Sequence, residues 1–422
     1  RVLFRSASAG RPAARTASSI RLRTWARLAE TEMLMQQAYQ ISADEENSMA
    51  WQHILRLARS LGASDVHWST GEMPWLRVDG HLRRVAQWCE SYALPADAMS
   101  RVVSAEDVHG IRKALLQTHA LNHAQAIDLT QTHNNLDFAV SLPLLGRFRV
   151  NAFAQARGPA LALRLIASHL PELQRLKAPA CVANWGLQPH GLVLITGPTG
   201  SGKSTLLAAL LHHINSQREA HVLTLEDPIE FIHTSQLSLV HQREVGRDTP
   251  DFESGLRAGL REDPDVLLVG ELRDSATIKL ALTAAETGHL VLATLHTASA
   301  PQALDRLVDA FPSHEREGVR ALFAECMVAV LAQTLCPHRS GQGRVAAHEI
   351  MVATPAVRNL MREGKVSQLY ALLQTGQSVG MQTLDQSLLR LFHNQEISLQ
   401  TLERLRKYPQ NPKLMDNHGL DD

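Results

Sequence analysis

The segment Gly191-Leu-Val-Leu-Ile-Thr-Gly-Pro-Thr-Gly-Ser-Gly-Lys-Ser204 determines the fold class of this 422-residue chain. Its first six residues form an apolar run with the length of a buried strand, and residues 204–214 open a helix. Between them lies a full match to G-x-x-x-x-G-K-S/T. Glycines in such a loop let backbone N–H groups turn inward around an anion, and the N-terminus of the next helix adds partial positive charge. The segment therefore predicts a strand, a phosphate-binding loop and a helix of an α/β protein.

The loop residues have distinct expected roles toward ATP and Mg²⁺. The lysine side chain would reach the β- and γ-phosphates, and the serine that follows it would offer its hydroxyl to Mg²⁺. The residues that we expect to bind the nucleotide are Gly197, Pro198, Thr199, Gly200, Ser201, Gly202, Lys203, Ser204 and Thr205. A chance glycine-rich turn is the competing interpretation, and the flanking strand and helix argue against it.

Two acidic segments follow other apolar strands of the predicted parallel sheet. The run Val266-Leu-Leu-Val-Gly-Glu271 ends where phosphate-loop proteins place the carboxylate that holds Mg²⁺ or its water. The segment Glu226-Asp-Pro-Ile-Glu230 follows the strand Val222–Leu225, so its acids face the carboxyl edge of the sheet. One of these acids could orient and deprotonate an attacking water. An isolated acid in such a position is more often a solvated loop carboxylate, and the neighbouring phosphate loop favours the functional interpretation.

Two histidines flank the predicted strand Leu290–Thr294. His289 precedes this strand and His296 follows it. Such a pair could sense the γ-phosphate and transmit its loss to the next subunit of a ring. A lone histidine is more often a satisfied core or loop residue, so the residues by themselves leave both interpretations open.

The chain before the phosphate loop has the pattern of a smaller α+β domain. Apolar residues recur at helical spacing after Met49 and stop near Gly62, and alternating segments predict strands at 65–68, 75–78, 136–140 and 147–153. The dipeptide Asp79-Gly80 is typical of a hairpin turn.

We expect the following division of the chain: a leader at 1–48, an N-terminal domain at 49–167, a linker at 168–180, an ATPase domain at 181–410 and a tail at 411–422. The leader begins with 28 residues that are rich in Arg, Ala and Ser and lack Asp and Glu. This composition is similar to that of a transit peptide, but we interpret the segment as an artefactual or disordered extension. Residues from about 313 onward predict mostly helices, including a packed helix at 321–335.

The composition argues against several classes of protein. Lys+Arg 42 balances Asp+Glu 42, so no global charge favours nucleic acid or an anionic membrane. No apolar run reaches the roughly 18–20 residues of a membrane span. The four cysteines, Cys89, Cys181, Cys326 and Cys336, are scattered and form no C-x-x-C pair, which fits a reducing cytosol. A ring that translocates DNA or RNA is disfavoured, because no basic stretch is interleaved with aromatic residues.

These segments resemble, in order, the signature boxes of the secretion and type IV pilus ATPases. The boxes are the phosphate loop, an acidic box at 226–231, a second acidic box at 260–274 and a histidine box at 287–297. Within this superfamily the chain is most similar to the retraction ATPases of twitching motility. That narrower likeness is carried by residues 63–67 with 76–80, 242–249, 356–363 and 380–385. The resemblance runs from about residue 50 to about residue 410.

The resemblance implies a role for each matching residue. Glu230 matches the general base for the attacking water, and Glu271 matches the acid of the Mg²⁺ site, which acts through water. His289 and His296 match the γ-phosphate sensors. Four arginines fall where the N-terminal domain of the family supplies arginines toward the nucleotide, and which of them acts as a finger stays unassigned: Arg147, Arg149, Arg157 and Arg164.

The resemblance also implies an architecture and partners. It implies a PAS-like N-terminal domain, a RecA-like motor domain and a homohexameric ring with ATP at the subunit interfaces. Such a ring would lie at the cytoplasmic face of the inner membrane, at the pilus base. The resemblance implies an inner-membrane pilus platform protein and a paralogous retraction ATPase as partners, and such a ring would meet the membrane only through partners. Nucleic acid is not among the expected partners.

Three functions stay open within this resemblance. The first is a motor that hydrolyses ATP to retract pili, and the second is an accessory retraction subunit that binds nucleotide but contributes little force. The third is a related type II secretion or pilus-assembly ATPase. Members that drive export or assembly commonly carry a tetracysteine zinc element, and its absence here favours the retraction branch.

The segment 356–363 also has two compatible interpretations. It is an ordinary amphipathic helix, with Val357, Leu360 and Met361 on one side and with the polar residues Arg358, Arg362 and Glu363 on the other. It also matches a family motif that is needed for pilus retraction and is separate from the ATP site.

Overall fold

The computed structural model describes residues 50–78, 80–88, 101–121, 135–166, 170–341 and 343–407. The predicted leader at 1–48, the predicted tail at 411–422, Asp79 and Cys89 lie outside the described residues. The chain divides into two compact units, one that ends at Ile54 and one that begins at Leu55. The described part of the first unit is the opening turn of helix α1 (Ala50–Ser60), and the second unit contains both sheets.

A six-stranded antiparallel sheet forms the first layer of the second unit. Its strands are β1 (Asp65–Ser69), β2 (Trp75–Val78), β3 (His81–Arg84), β4 (Asn135–Leu142), β5 (Gly146–Gln155) and β6 (Gly158–Ile166), with helix α2 (Ala105–Leu121) between β3 and β4. Their order across the sheet is β3-β2-β1-β6-β5-β4. Val78 pairs with His81, and Gly80 has a φ of 82°, so β2 and β3 are joined by the tight turn that the sequence predicts.

The two faces of this sheet differ in chemistry. Large apolar side chains on one face are fully buried, among them Val66, Leu76, Phe148 and Leu163. On the other face, strand register aligns Arg77, Asp65, Arg164 and Arg149 in one row across four strands. Because side chains alternate between faces along a strand, one face packs the core and the other presents a row of charge.

A seven-stranded sheet forms the second layer. Its strands are β7 (Gly191–Thr196), β8 (His221–Glu226), β9 (Leu239–Glu244), β10 (Val266–Val269), β11 (Leu290–Leu295), β12 (Met327–Pro337) and β13 (Arg344–Val352), in the order β13-β12-β7-β11-β10-β8-β9. All neighbours are parallel except β12 and β13. The central strands are buried on both faces, which explains their continuous apolar runs. The predicted α/β class with a smaller N-terminal α+β part is confirmed.

One helix precedes β7, and the others connect the parallel strands that follow it. They are α3 (Ala180–Gly186), α4 (Lys203–Gln217), α5 (Phe252–Gly259), α6 (Ser275–Glu286), α7 (Ala300–Asp309) and α8 (Arg316–Cys326). In a parallel sheet the carboxyl ends of the strands meet at one edge, and the loops there form the crevice in which ligands bind. The phosphate loop, the first acidic box, Glu271 of the second box and His296 therefore lie at one edge of this sheet.

The predicted helix at 321–335 is wrong. Helix α8 ends at Cys326, and residues 327–337 form strand β12 between β7 and β13. A strand buried on both faces shows no alternation of apolar and polar residues, so its pattern is easily taken for a buried helix. The prediction of mostly helical structure after residue 313 is accordingly wrong for β12 and β13 and right for the segments beyond them.

The chain after β13 is helical. It contains α9 (Pro355–Arg362), α10 (Val366–Thr375), a 3₁₀ turn (Gly376–Val379), α11 (Leu384–His393) and α12 (Leu399–Leu405). Val357 and Met361 of α9 are fully buried and Leu360 is partly buried, as the amphipathic pattern predicts. Among the described residues, no helix combines the length and the apolar character that crossing a bilayer requires.

Candidate nucleotide-binding site

The phosphate loop connects the end of β7 to the start of α4. Gly197 and Gly202 have φ values of 145° and 86°, which other residues rarely adopt. A Cβ atom at Gly197 would also lie 2.4 Å from the backbone oxygen of Gln333 on the neighbouring strand. Glycine is therefore required there by both backbone conformation and space.

The side chain of Lys203 folds back over this loop. Its Nζ donates to the backbone oxygens of Gly197 at 2.8 Å and of Pro198 at 3.1 Å. Burial lowers the pKa of Lys203, and the nearby carboxylates of Glu271 and Glu230 oppose this shift. Both acids thus favour the charged form of the ammonium group.

A chain of polar contacts links the loop to the second acidic box. His296 lies between them, with Nδ1 at 3.5 Å from Lys203 Nζ and Nε2 at 3.3 Å from Glu271 Oε1. Arg273 donates from Nε to Glu271 Oε2 at 2.8 Å and holds the carboxylate from the other side. The structure therefore brings three of the predicted site residues together at one point.

His289 lies elsewhere. Its backbone oxygen accepts a hydrogen bond from the N–H of Gly191, at the start of β7, whereas the phosphate loop follows the end of that strand. Its ring Nδ1 lies 2.9 Å from the backbone oxygen of Ala284. Six residues of strand span roughly 20 Å, so the structure does not bring His289 to the phosphate loop of its own chain.

Two residues that the sequence analysis missed hold the loop in place. Thr196 Oγ1 accepts from the N–H of Thr297 at 2.9 Å, which ties the start of the loop to the residue after His296. Gln333 Nε2 donates to the backbone oxygen of Ser201 at 2.6 Å. The only sequence signal for Gln333 was a polar residue within an apolar stretch, and that signal does not reveal its partner.

The first acidic box contributes two carboxylates. Glu226, at the end of β8, accepts from Thr224 Oγ1 at 2.7 Å and from Gln242 Nε2 at 3.0 Å. Burial raises the pKa of Glu226 to about 7, and these two hydrogen bonds oppose the shift. Glu230 is half-buried and lines a groove with Arg147 and Phe231.

Two of the four predicted arginines lie beside this box. Arg147 is 12% exposed, and it donates from Nε to the backbone oxygen of Ile229 at 3.1 Å and from Nη2 to Glu244 Oε2 at 3.5 Å. Its pKa is lowered by burial. Arg149 donates to Asp137 at 2.6 Å, and this hydrogen bond raises its pKa, with smaller contributions from the acids of the box.

The other two arginines pair with acids of β1 and of the connection between β1 and β2. Arg157 lies 2.8 Å from Glu72, and Arg164 lies 2.9 Å from Asp65. Both guanidinium-bearing side chains are more than half exposed, at 57% and 65%. Arg147 and Arg149 thus lie beside the acidic box, whereas Arg157 and Arg164 face solvent.

The donor set fits Mg²⁺ held mainly by phosphate. Mg²⁺ usually keeps several waters and binds through one or two carboxylates together with substrate phosphates. The Ser204 side chain is exposed at the first turn of α4. The Glu271 carboxylate is linked to Lys203 through the side chain of His296. Among the described residues, no cluster of three or more His, Cys, Asp or Glu could hold an ion by itself.

A family model for type II/IV secretion system proteins matches residues 44–402. The chain belongs to this family. Its matched region includes the phosphate loop, both acidic boxes and both histidines, and the prediction of an ATP hydrolase is confirmed.

Two relatives from Pseudomonas aeruginosa show the place of the chain within the family. The type IV pilus retraction ATPase PilT is 47% identical over 358 residues, which covers 85% of this chain and 98% of the relative. The type IV pilus ATPase PilU is 37% identical over 350 residues, which covers 83% of this chain and 87% of the relative. The chain is thus more similar to the retraction ATPase than to PilU.

A solved structure supports the same fold. The crystal structure of the pilus retraction motor PilT with bound ADP matches with a TM-score of 0.72 and 38% identity, over 84% of this chain and 96% of that chain. The predicted likeness to retraction ATPases is therefore confirmed in sequence and in fold, and it supports the use of a nucleotide.

Proposed function

We propose that this chain is a Mg²⁺-dependent ATPase that works as a homohexameric ring and drives the retraction of type IV pili. The observation that carries the chemistry is the contact chain Lys203–His296–Glu271, which joins three boxes at one edge of the sheet. The likeness to the retraction ATPase supports the biological role.

In this proposal the loop binds the triphosphate of ATP. The ammonium group of Lys203 would exchange its bonds with two loop carbonyls for bonds to the β- and γ-phosphates. Glu230 would accept a proton from the attacking water, and His296 would report the loss of the γ-phosphate through its contacts with Lys203 and Glu271. Mg²⁺, held by the phosphates and Ser204, would neutralise the charge that develops on the phosphoryl oxygens.

The ring and its surroundings are further parts of the proposal. Arginines of the N-terminal domain, at 49–167, would complete a nucleotide site of the motor domain, at 181–410. His289, at the far end of β11 from the phosphate loop, would sense the nucleotide of a neighbouring subunit. The ring would act on an inner-membrane platform protein at the cytoplasmic side of the pilus base and reach the membrane only through such partners. A paralogous retraction ATPase would be a second partner.

A complementation experiment tests this function. A deletion strain would be complemented with the wild-type gene or with Glu230→Gln, and twitching and pilus retraction would be measured. We expect the wild type to restore both and the variant to restore neither. Intact twitching in the deletion strain would favour the accessory role, and rescue by Glu230→Gln would contradict the assignment of Glu230 as the base for ATP hydrolysis.

A further inference from the structure

Strand β9 places two side chains against the first acidic box. Gln242 and Glu244 are two residues apart, so both project from the same face of the strand. The strand is the last one in the seven-stranded sheet and runs parallel to β8, whose end leads into the acidic box. Both side chains therefore reach the loop that carries Glu230.

Glu244 holds the residue before Glu230. Its Oε2 accepts from the backbone N–H of Ile229 at 3.1 Å, and Glu244 is only 4% exposed. Arg147 contacts both partners of this hydrogen bond. Its Nη2 lies 3.5 Å from the same carboxylate oxygen, and its Nε donates to the backbone oxygen of Ile229 at 3.1 Å. Both backbone polar groups of Ile229 are thus bound to charged side chains.

Gln242 holds the residue after Glu230. Its Nε2 donates to the backbone oxygen of Phe231 at 2.9 Å and to Glu226 Oε1 at 3.0 Å. Its Oε1 accepts from the backbone N–H of His233 at 2.8 Å. One amide therefore makes two bonds to the acidic box and one to His233 just after it, and reversing the amide would lose the bonds to Phe231 and His233.

The two contacts lie on opposite sides of one residue. Ile229 and Phe231 are the chain neighbours of Glu230, and each is bound by a different side chain of β9. A carboxylate on an unsupported loop would sample several positions, and a displacement of about 1 Å at a reacting group can cost roughly a hundredfold in rate. Fixing the backbone on both sides limits the positions that the Glu230 carboxylate can reach.

We propose that Gln242 and Glu244 are positioning residues for ATP hydrolysis, which hold the backbone on both sides of Glu230 so that its carboxylate stays aimed at the attacking water. This inference rests on the proposed function, because it assumes that Glu230 acts as the base. It assigns Gln242 and Glu244 to hold the protein around Glu230, since their contacts are with Glu226 and with the backbone of Ile229, Phe231 and His233.

Steady-state kinetics of the assembled full-length chain test the role of Glu244. We expect Glu244→Ala to lower kcat by about ten- to a hundredfold while KM for ATP changes by less than about threefold. Glu244→Gln keeps an oxygen that accepts from Ile229, so it should recover most of the lost kcat. Glu317→Ala, which removes an exposed carboxylate from helix α8, is the matched control and should behave as wild type.

A double-mutant cycle separates positioning from a general loss of structure. In a Glu230→Gln background, Glu244→Ala and Gln242→Leu should lower the residual rate little further, because the group that they position is already gone. If each β9 substitution lowered kcat by the same factor in the Glu230→Gln background as in the wild type, the proposal would be overturned. A wild-type kcat in both Glu244→Ala and Gln242→Leu would also overturn it.

The same measurements distinguish this proposal from the proposed function. Normal kcat in the two β9 variants together with an inactive Glu230→Gln would overturn only the positioning role. Normal kcat in Glu230→Gln itself would overturn both the base and its positioning. Binding of a fluorescent ADP analogue to each variant supplies the fraction of folded sites, so that kcat is expressed per competent site.

Discussion

The side-chain amide of Gln333 donates a 2.6 Å hydrogen bond to the backbone oxygen of Ser201 in the phosphate loop. Gln333 Oε1 lies 3.1 Å from Nε2 of His348, which is buried and has its pKa lowered to about 4 by that burial. Because the amide nitrogen donates to the Ser201 carbonyl, the amide oxygen faces His348, and a neutral imidazole can donate to that oxygen only in the tautomer that carries its proton on Nε2. A strand three sheet positions from β10 and four from β8, the strands that lead to the acidic residues, thus shapes the phosphate loop.

Replacing Gln333 with glutamate should weaken ATP binding. A carboxylate cannot donate to Ser201, and its charge would repel both the loop carbonyl and the phosphates. Loss of one such hydrogen bond costs about 1 kcal/mol, so we expect KM for ATP to rise at least about fivefold in Gln333→Glu. The exposed Gln302→Glu on helix α7 is the control, and equal KM values in both variants would contradict this role.

Replacing Lys203 with alanine should abolish hydrolysis while preserving the fold. The ammonium group makes two hydrogen bonds to loop carbonyls, and the core around β7 does not depend on it. Phosphate release by Lys203→Ala should fall to background at a nearly unchanged thermal midpoint. Lys279→Ala, which removes an exposed partner of Glu315, should keep normal turnover. Unchanged turnover in Lys203→Ala would refute the site assignment.

The raised pKa of Glu226 predicts a pH dependence of stability. Its pKa is about 7 in the folded chain against a reference of 4.5, so the folded state binds more protons between these values. Stability should therefore fall as pH rises from about 4.5 through 7. Glu226→Gln keeps an oxygen for Thr224 and Gln242 but has no proton to lose. Its thermal midpoint should exceed that of the wild type increasingly toward pH 8, and parallel curves would contradict the shift.

Arg358 should stabilise the motor fold more than its neighbour Arg362. Its guanidinium donates to the backbone oxygens of Ala324, Glu325 and Met327, which satisfies carbonyls at the end of helix α8. Hydrogen bonds to charged groups contribute about 1.5–3 kcal/mol, so Arg358→Met should unfold several degrees below wild type.

Arg362→Met is the matched variant on the same helix. Arg362 forms an ion pair with Glu325, and both side chains are largely exposed, at 45% and 66%. Such pairs contribute roughly 0–1 kcal/mol, so its melting temperature should lie near that of the wild type. Equal losses in both variants would contradict the capping role of Arg358.

The sequence predicted the regular parts of the fold because their signals are local. The strand, loop and helix around Lys203 are encoded by apolar runs and by glycines whose φ values other residues avoid. The tight turn at Gly80 is encoded in the same way. Strand β12 was missed, because burial on both faces removes the alternation that identifies a strand.

The sequence by itself determined the phosphate loop, the strand-end acids and the family, since each depends on residue types at fixed spacing. Only the tertiary structure decided which residues meet: that His296 joins Lys203 to Glu271, that His289 lies at the far end of β11, and that Gln242 and Glu244 flank Glu230. These contacts join segments from different strands and loops. The pairing of the strands sets them, and no local pattern in the chain records which strands will be neighbours.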